Sequence, residues 1–424
     1  MVEAQTTSRP RRVLFVMNAA GGGAAMSTIA LAEALTRKGI GACAVCYPAG
    51  TEVERQSLCE AMQGAVEFAP LYWWNRKLRV PRWRRPLSEL KQIVTTGWSH
   101  ASAARVARKA VEWGVDLIHT NTILTPEGGL AARRLGLPHV WHLRELVGPG
   151  QPYRLPYEGP SFGRYMRDYA SKVVANSQAS AAQVRSWIDD DLLEIVPNGI
   201  DLSCYRPRTG SARQQGLVVG MIGNLTSRVK KHPLFIDAAA RVPRELDVTW
   251  RIYGRDPSRG GTVSGDAYVD GLHAQVQRLG LTGRVEWPGF VADPAEIMSQ
   301  LDVLVHPADG ESFGRIVVEA MAAGLPVVGA RGGGVAEIIV DGRTGLLARP
   351  DDPQDLAAQI ERLLRDPQLR DELGRSGRQR AQEEYSLDAC VSRMLNVYAQ
   401  ALRRPLGQAE AFKRAAPVAA RASE

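Results

Sequence analysis

The sequence predicts an α/β protein of two doubly wound domains facing each other across a cleft. Short apolar runs alternate with stretches of helical spacing along both halves of the 424-residue chain, the pattern of parallel βα units. The length exceeds what one hydrophobic core usually supports, so two domains of roughly 200 residues are expected. A polar, aperiodic segment at 201–215, DLSCYRPRTGSARQQ, separates the halves and has the Pro and Gly of a linker.

In chain order, RRVLFVMN (11–18) reads as a strand and AAGGG as a tight turn. AAMSTIALAEALTRKG reads as a helix with Ile29, Leu31, Ala34 and Leu35 toward the core and Gly39 as its C-cap. GACAVCYP is the next strand, completing a βαβ opening with a right-handed crossover. SHASAARVARKAVEWG (helix), VDLIHT (strand), LTPEGGLAARRLG (helix), PHVWHL and SKVVANS (strands), SQASAAQVRSWI (helix) and LLEIVPNGI (strand and turn) complete the first half. The second half repeats the plan. Its strands are GLVVGMIG, LDVTWRIYG, RVEWPG, LDVLVHP and LPVVGA, and its helices are HPLFIDAAARVP, YVDGLHAQVQRLG, DPAEIMSQ and RIVVEAMAAG. DPQDLAAQIERLLRD and a helix from about Leu387 to Arg403 close it, followed by an Ala-rich tail. The expected divisions are 1–204, 205–386, a terminal helix 387–404 and a flexible tail 405–424.

Apolar residues at 45% and charged residues at 23% exclude a fibrous or wholly disordered chain. No run of 18 uncharged apolar residues could span a bilayer, and MVEAQTTSRPRR leads into VLFVM without a signal-peptide core, so a cytoplasmic location is expected. Five cysteines (43, 46, 59, 204, 390) are few and odd in number, which argues against a disulfide framework. Cys43 and Cys46 have C-x-x-C spacing but lie in an apolar strand with no second pair nearby, and read as packing. The net charge is +8, and Leu71–Leu87 holds six basic residues, no acidic one and three tryptophans.

The stretch HPADGESFGRIVVEAMAAGLPVVG (306–329) raises the chemical question, because Glu319 stands in an apolar helix eight positions after Glu311. A buried carboxylate is costly unless it is paired or faces a ligand. In doubly wound sheets ligands sit beyond the carboxyl ends of the strands, and the strand ending at His306 leads into a helix whose first N–H groups, near Gly314, Arg315 and Ile316, suit a phosphate or sugar hydroxyl. Glu311 and Glu319 would stand about 10 Å apart along that helix. The alternative is an ion pair between Glu319 and Arg315 at i−4, but Gly310, Gly314 and Gly324 permit a close backbone approach that a surface ion pair does not require. Arg228, Lys230 and Lys231 follow a strand ending at Gly223, where a diphosphate would find positive charge.

In the first half, NAAGGGAAM has Met26 where a dinucleotide fingerprint starting at Gly21 requires its third glycine, and no acidic residue ends the next strand. An oxidoreductase is therefore disfavoured. His119 and His142 end apolar strands, the latter beside Arg144 and Glu145, and lack metal-ligand spacing. They read as polar groups directed at the crevice, the alternative for each being a structural histidine.

Together these pieces resemble the family 4 retaining glycosyltransferases, whose two Rossmann-like domains form the arrangement called GT-B. The matching stretches are GGG (21–23), WHLRE (141–145), VPNGID (196–201), GNLTSRVKKHPLFIDAA (223–239), WPGFVAD (287–293), ESFGRIVVEAMAAGLPVV (311–328) and GGGVAEII (332–339). The resemblance implies an acceptor-side first domain, a nucleotide-sugar-binding second domain and a terminal helix returning to the first. It implies catalytic roles for Glu311, which would hold the donor sugar's hydroxyls, for Lys230 on the diphosphate, and for His142 near the sugar. It places Glu319 on the ribose and Ser312, Phe313, Gly314, Arg315 and Ile316 around the donor, with Gly22 and Gly23 at the turn near the phosphate and Phe290 at the base. Where many members have arginine after the first strand of the second domain, this chain has Asn224. Either Arg228 supplies that charge, or Lys230 and helix N–H groups hold the diphosphate alone.

No metal or cofactor is expected: a lysine and a helix pole can stabilise the departing phosphate, and no D-x-D cluster calls for an ion. The donor would be a UDP- or GDP-linked sugar. The acceptor would be a saccharide, and YWWNRKLRVPRWRRP suggests a lipid-linked one, because Trp73, Trp74 and Trp83 favour a membrane interface and Arg82, Arg84 and Arg85 favour lipid phosphate. His119 and Arg144 join this acceptor group. The alternative for the segment is a basic loop with inward tryptophans; no nucleic-acid module accompanies it. Contact with the cytoplasmic face of the membrane is thus an expectation, and the oligomeric state is not predicted. A nucleotide-sugar 2-epimerase is the rival reading, and differs in changing the donor with no acceptor present.

Overall fold

The computed structural model describes residues 9–72, 85–148, 151, 153, 155, 159–206, 216–225, 227–255 and 267–406, with 85–96 described by backbone alone. Contacts divide the chain into two compact units. The first holds Met1–Asn176, Ala181–Val196 and Val391–Glu424, and the second holds Ser177–Ser180 and Pro197–Cys390. Apart from Ser177–Ser180, the chain passes to the second unit at Val196/Pro197 and returns at Val391.

The first unit contains strands β1 (Arg12–Met17), β2 (Gly41–Cys46), β3 (Val66–Phe68), β4 (Leu117–Thr120), β5 (His139–Leu143), β6 (Lys172–Ala175) and β7 (Leu193–Ile195). They form one parallel sheet of order β3-β2-β1-β4-β5-β6-β7. β1 is an interior strand, wholly apolar after Arg12 because both faces of the sheet are covered. Leu14 and Val16 pack on one side with Val106, Ala107 and Ala131.

The second unit repeats the plan with β8 (Leu217–Ile222), β9 (Val248–Tyr253), β10 (Val285–Gly289), β11 (Val303–His306), β12 (Val327–Ala330) and β13 (Leu346–Ala348). Their order is β10-β9-β8-β11-β12-β13, again all parallel. The order reverses direction between β8 and β11, and beyond the carboxyl ends of strands at such a reversal doubly wound sheets place their ligands. Lys230 follows β8 and Glu311 follows β11.

Several elements go beyond what the sequence pattern indicates. A helix at Glu52–Ala61 starts with a capping box between Thr51 and Glu54, and further helices run over Pro160–Tyr169 and Pro367–Glu384. The expected helix SQASAAQVRSWI shortens to Gln178–Ala182, after which turns carry Val184 and Ile188 into the first unit's core. All five cysteines are free, and burial pushes the thiols of Cys43 and Cys46 up to about 12.

A buried carboxylate with no distinct signal in the sequence lies at the start of the helix Glu127–Leu135. Glu127 is fully buried, and its Oε1 accepts the Tyr72 N–H at 2.8 Å. Burial pushes the carboxyl up to about 8, against the opposing hydrogen bonds of Tyr72 and Ser99. The folded protein therefore binds one proton more than the unfolded chain between the ordinary carboxyl value of about 4.5 and about 8, and stability falls as pH rises through that window. Glu127→Gln, which keeps the acceptor for Tyr72, should flatten this dependence and be the more stable protein at pH 8, by about 1–3 kcal/mol, the scale on which burying an incompletely satisfied polar group is felt. Urea denaturation of both proteins at pH 5 and pH 8 measures it.

Candidate active site

In the second unit, charge gathers at the carboxyl end of β11. The chain leaves His306, crosses a short loop and enters the helix Arg315–Ala322 through Gly314, the N-cap, at φ +97. Glycine takes this left-handed conformation without the clash a side chain would bring. The glycines 332–334 hold the loop from behind. Gly334 donates its N–H to the Glu311 carbonyl at 2.8 Å, and a Cβ on Gly334 would lie 2.5 Å from the Ser312 carbonyl oxygen and 2.6 Å from Phe313 Cα. The GGGVAEII stretch is thus a backbone-to-backbone contact that fixes where Glu311 stands. Ser177 Oγ donates to the Ser312 carbonyl at 2.5 Å, and Glu337 accepts the N–H groups of Gln178 and Ala179, each at 2.7 Å.

Lys230 and Glu311 meet in a direct, hydrogen-bonded ion pair, with side chains 24% and 18% exposed. Burial pushes the Glu311 carboxyl up, but the charge and hydrogen bond of Lys230 outweigh it and hold the group below the usual carboxylate range. His306 Nε2 stands 3.8 Å from the same Glu311 oxygen. Its ring is buried with neither nitrogen hydrogen-bonded among the described residues, and burial together with Lys230 lowers it to about 4, so it is neutral at pH 7. His306 is not among the site residues expected from the sequence; the dipeptide HP at the strand end is its only signal there.

The other cations of this segment are placed differently. Lys231 takes up a left-handed backbone at φ +57 and its Nζ bridges Asp309 at 2.6 Å and Asp351 at 2.7 Å. Arg228 is exposed with its guanidinium 5.3 Å from the centre of the Tyr268 ring, and Asn224, four positions earlier, is exposed. Phe290 is 57% exposed and carries the Arg255 guanidinium 4.5 Å from its ring centre.

Glu319 is 2% exposed, and the i−4 alternative is realised: Arg315 Nε donates to its Oε1 at 2.6 Å. Tyr205, from the segment after β7, hydrogen-bonds the same carboxylate. Burial still leaves the carboxyl raised against both partners. Phe313 lies in the hydrophobic core with its ring edge-on to Tyr385 at 5.8 Å, so its backbone alone is left to meet a ligand. Ile316 is half-buried at the helix start.

In the first unit, Gly22 and Gly23 open the helix Gly22–Arg37, with Gly22 at φ +85 and both exposed. His119 and His142, expected to point into a crevice, are both buried and lie in hydrogen-bond contact with each other, His119 Nε2 to His142 Nδ1 at 3.2 Å. Arg144 is 6% exposed. Glu145 is tied down by Thr122 Oγ1 at 2.7 Å and the Ile123 N–H at 3.1 Å. Trp73, Trp74, Arg82, Trp83 and Arg84 lie outside the described residues, as does the side chain of Arg85. Trp98 is 55% exposed, with its ring 5.3 Å from Tyr72. Among the described residues no group of three His, Cys, Asp or Glu side chains could hold a metal ion, and no helix is long and apolar enough to cross a membrane.

Residues 21–203 match the family model described as Glycosyltransferase Family 4, and residues 208–380 match Glycosyl transferases group 1. A D-inositol 3-phosphate glycosyltransferase of Thermomonospora curvata is 31% identical over 311 residues, 67% of this chain and 71% of that one. Among solved structures, HepE of Anabaena, crystallised in complex with UDP-glucose, is 26% identical with a TM-score of 0.70, covering 91% of this chain and 98% of that one. A glycosyltransferase of Rickettsia africae is 17% identical with a TM-score of 0.73, over 92% and 98% of the two chains, which bears on the fold.

Proposed function

The chain belongs to the GT-B glycosyltransferases and transfers a sugar from a nucleoside-diphosphate sugar to an acceptor hydroxyl; from that premise we propose that it is a retaining, metal-independent enzyme using a UDP-linked donor. The observation that carries the reading is the Lys230–Glu311 ion pair at the carboxyl end of β11, beside the amino end of the helix Arg315–Ala322. In the resting protein the two charges satisfy each other. A bound diphosphate competes for Lys230, and Glu311, released from that pairing, accepts hydrogen bonds from hydroxyls of the donor sugar.

The acceptor oxygen attacks the anomeric carbon from the face on which the phosphate departs. The bond from that carbon to the phosphate oxygen breaks, and the departing oxygen takes the acceptor's proton. Negative charge grows on the diphosphate, where Lys230 and the backbone N–H groups of Arg315 and Ile316 at the helix start stabilise it. Glu319, oriented by Arg315 and Tyr205, meets the ribose hydroxyls, and Phe290 with Arg255 borders the base. His142 meets the donor sugar. UDP is favoured over GDP by the likeness to HepE, which binds UDP-glucose. For the acceptor we propose a lipid-linked saccharide, on the strength of the basic, Trp-rich sequence 73–85 and the exposed Trp98.

A panel of nucleotide sugars in a thermal-unfolding assay tests the donor, since a ligand at 100 times its Kd stabilises by about 2.7 kcal/mol. UDP-glucose should raise the melting temperature more than GDP-mannose does. Acceptors are then added, free oligosaccharide against lipid-linked saccharide in vesicles, and the anomeric configuration of the product is read by proton NMR. Inversion at the anomeric carbon would overturn the mechanism. Conversion of the donor sugar into its 2-epimer without acceptor would establish the rival.

A further inference from the structure

Three buried groups of the first unit form a hydrogen-bonded row. Tyr398, on the helix Leu387–Leu402, places its hydroxyl 2.8 Å from His119 Nδ1. His119, at the end of β4, places Nε2 3.2 Å from Nδ1 of His142 on the neighbouring strand β5. His142 Nε2, the far end of the row, is buried and has no hydrogen-bond partner among the described residues. The Phe15 ring packs against His119 at 5.1 Å between centroids. Both imidazoles are held well below their ordinary value by burial first and by Arg144 second, and so are neutral.

We propose that Tyr398 and His119 are positioning residues that fix His142 in the tautomer carrying its proton on Nε2, so that it offers the substrate a hydrogen-bond donor. The polarity follows from chemistry. A phenol is a better donor than acceptor toward a neutral imidazole, so Tyr398 donates to His119 Nδ1. That leaves the His119 proton on Nε2, where it is donated to His142 Nδ1, and the His142 proton must then reside on Nε2. An unpaired buried donor costs free energy in the empty protein, and an oxygen of the substrate restores it. The row thus converts a hydroxyl on the last helix into the hydrogen-bonding sense of a group ending β5. The inference rests on the proposed reading of His142 as a group that meets the donor sugar.

The test uses the full-length protein labelled with 15N-histidine. Long-range proton–nitrogen spectra of the ligand-free protein should show His142 protonated at Nε2, and Tyr398→Phe, which keeps the ring packing, should convert it to a mixture of tautomers. In turnover of UDP-glucose the same variant should lose about three- to tenfold in kcat, the worth of one hydrogen bond, with donor KM changed less than about twofold. His119→Gln, which keeps a polar group facing His142, should retain more activity than His119→Ala and serves in place of Tyr398→Phe should that variant not fold. A wild-type His142 protonated at Nδ1, or a Tyr398→Phe protein with unchanged tautomer and kcat, overturns the proposal. Should His142→Ala leave turnover intact, the reading of His142 itself fails. Should His142→Ala be impaired while Tyr398→Phe matches wild type, the relay alone fails.

Discussion

Glu311→Gln is expected to lower kcat about a thousandfold, at the upper end of what one transition-state contact supplies, while leaving the fold in place. Glutamine fills the same volume on a loop already fixed by the Gly334 N–H and the close packing of residues 332–334. What changes is charge: the sugar loses an anionic hydrogen-bond acceptor, and Lys230 loses its resting partner. Because Lys230 is then freer to hold a diphosphate, binding of UDP alone should be unchanged or tighter in Glu311→Gln. Calorimetric titration with UDP beside steady-state kinetics separates the two effects. A variant that keeps wild-type kcat would remove Glu311 from the chemistry.

Lys230→Ala is expected to cost about a hundredfold in kcat, or about 3 kcal/mol of transition-state stabilisation, and to weaken donor binding as well. Its pH profile carries a second signature. In the intact protein Lys230 offsets the burial that pushes the Glu311 carboxyl up. With the lysine gone the burial remains, so the pH at which Glu311 takes up a proton should rise. The ion pair's contribution to stability is present above the ordinary carboxyl value and is lost as pH falls through the depressed value in the folded state. Residual activity of Lys230→Ala should therefore begin to fall, on the acid side, at a higher pH than in wild type. An unshifted acid limb would mean that Glu311 does not control it.

The ion pair also explains why a protein can leave its reactive groups partly buried before a donor arrives. A carboxylate 18% exposed beside a neutral His306 would be expensive alone. Lys230 compensates it until a diphosphate takes over that role. Lys231 shows the opposite arrangement, spending its charge on Asp309 and Asp351. Two adjacent lysines thus differ in function because the backbone turns left-handed at the second, which sends the two side chains to different carboxylates.

Much of the architecture is local in origin and can be read directly. β1 and β11 are apolar runs bounded by polar turns, and alternation with helices suffices to predict parallel sheets in both halves. The Glu311 to Glu319 stretch and the glycines 332–334 are legible because helix period and glycine placement are properties of neighbouring residues. The partnerships are not. Sequence leaves the surroundings of Glu319 open between an ion pair and a ligand, and the fold puts Arg315 and Tyr205 on it. Strand-end position marks His119 and His142 as polar groups but not their partners, whereas packing joins His142 to His119 and His119 to Tyr398, 279 positions beyond it. What the sequence determined by itself is the order of strands and helices and the residue types at their ends, since these follow from short-range periodicity and backbone preference. Which carboxylate meets which lysine, and which hydroxyl meets which imidazole, only the tertiary structure decided, because such contacts depend on strand order and on a terminal helix returning to the first unit, and no local pattern encodes either.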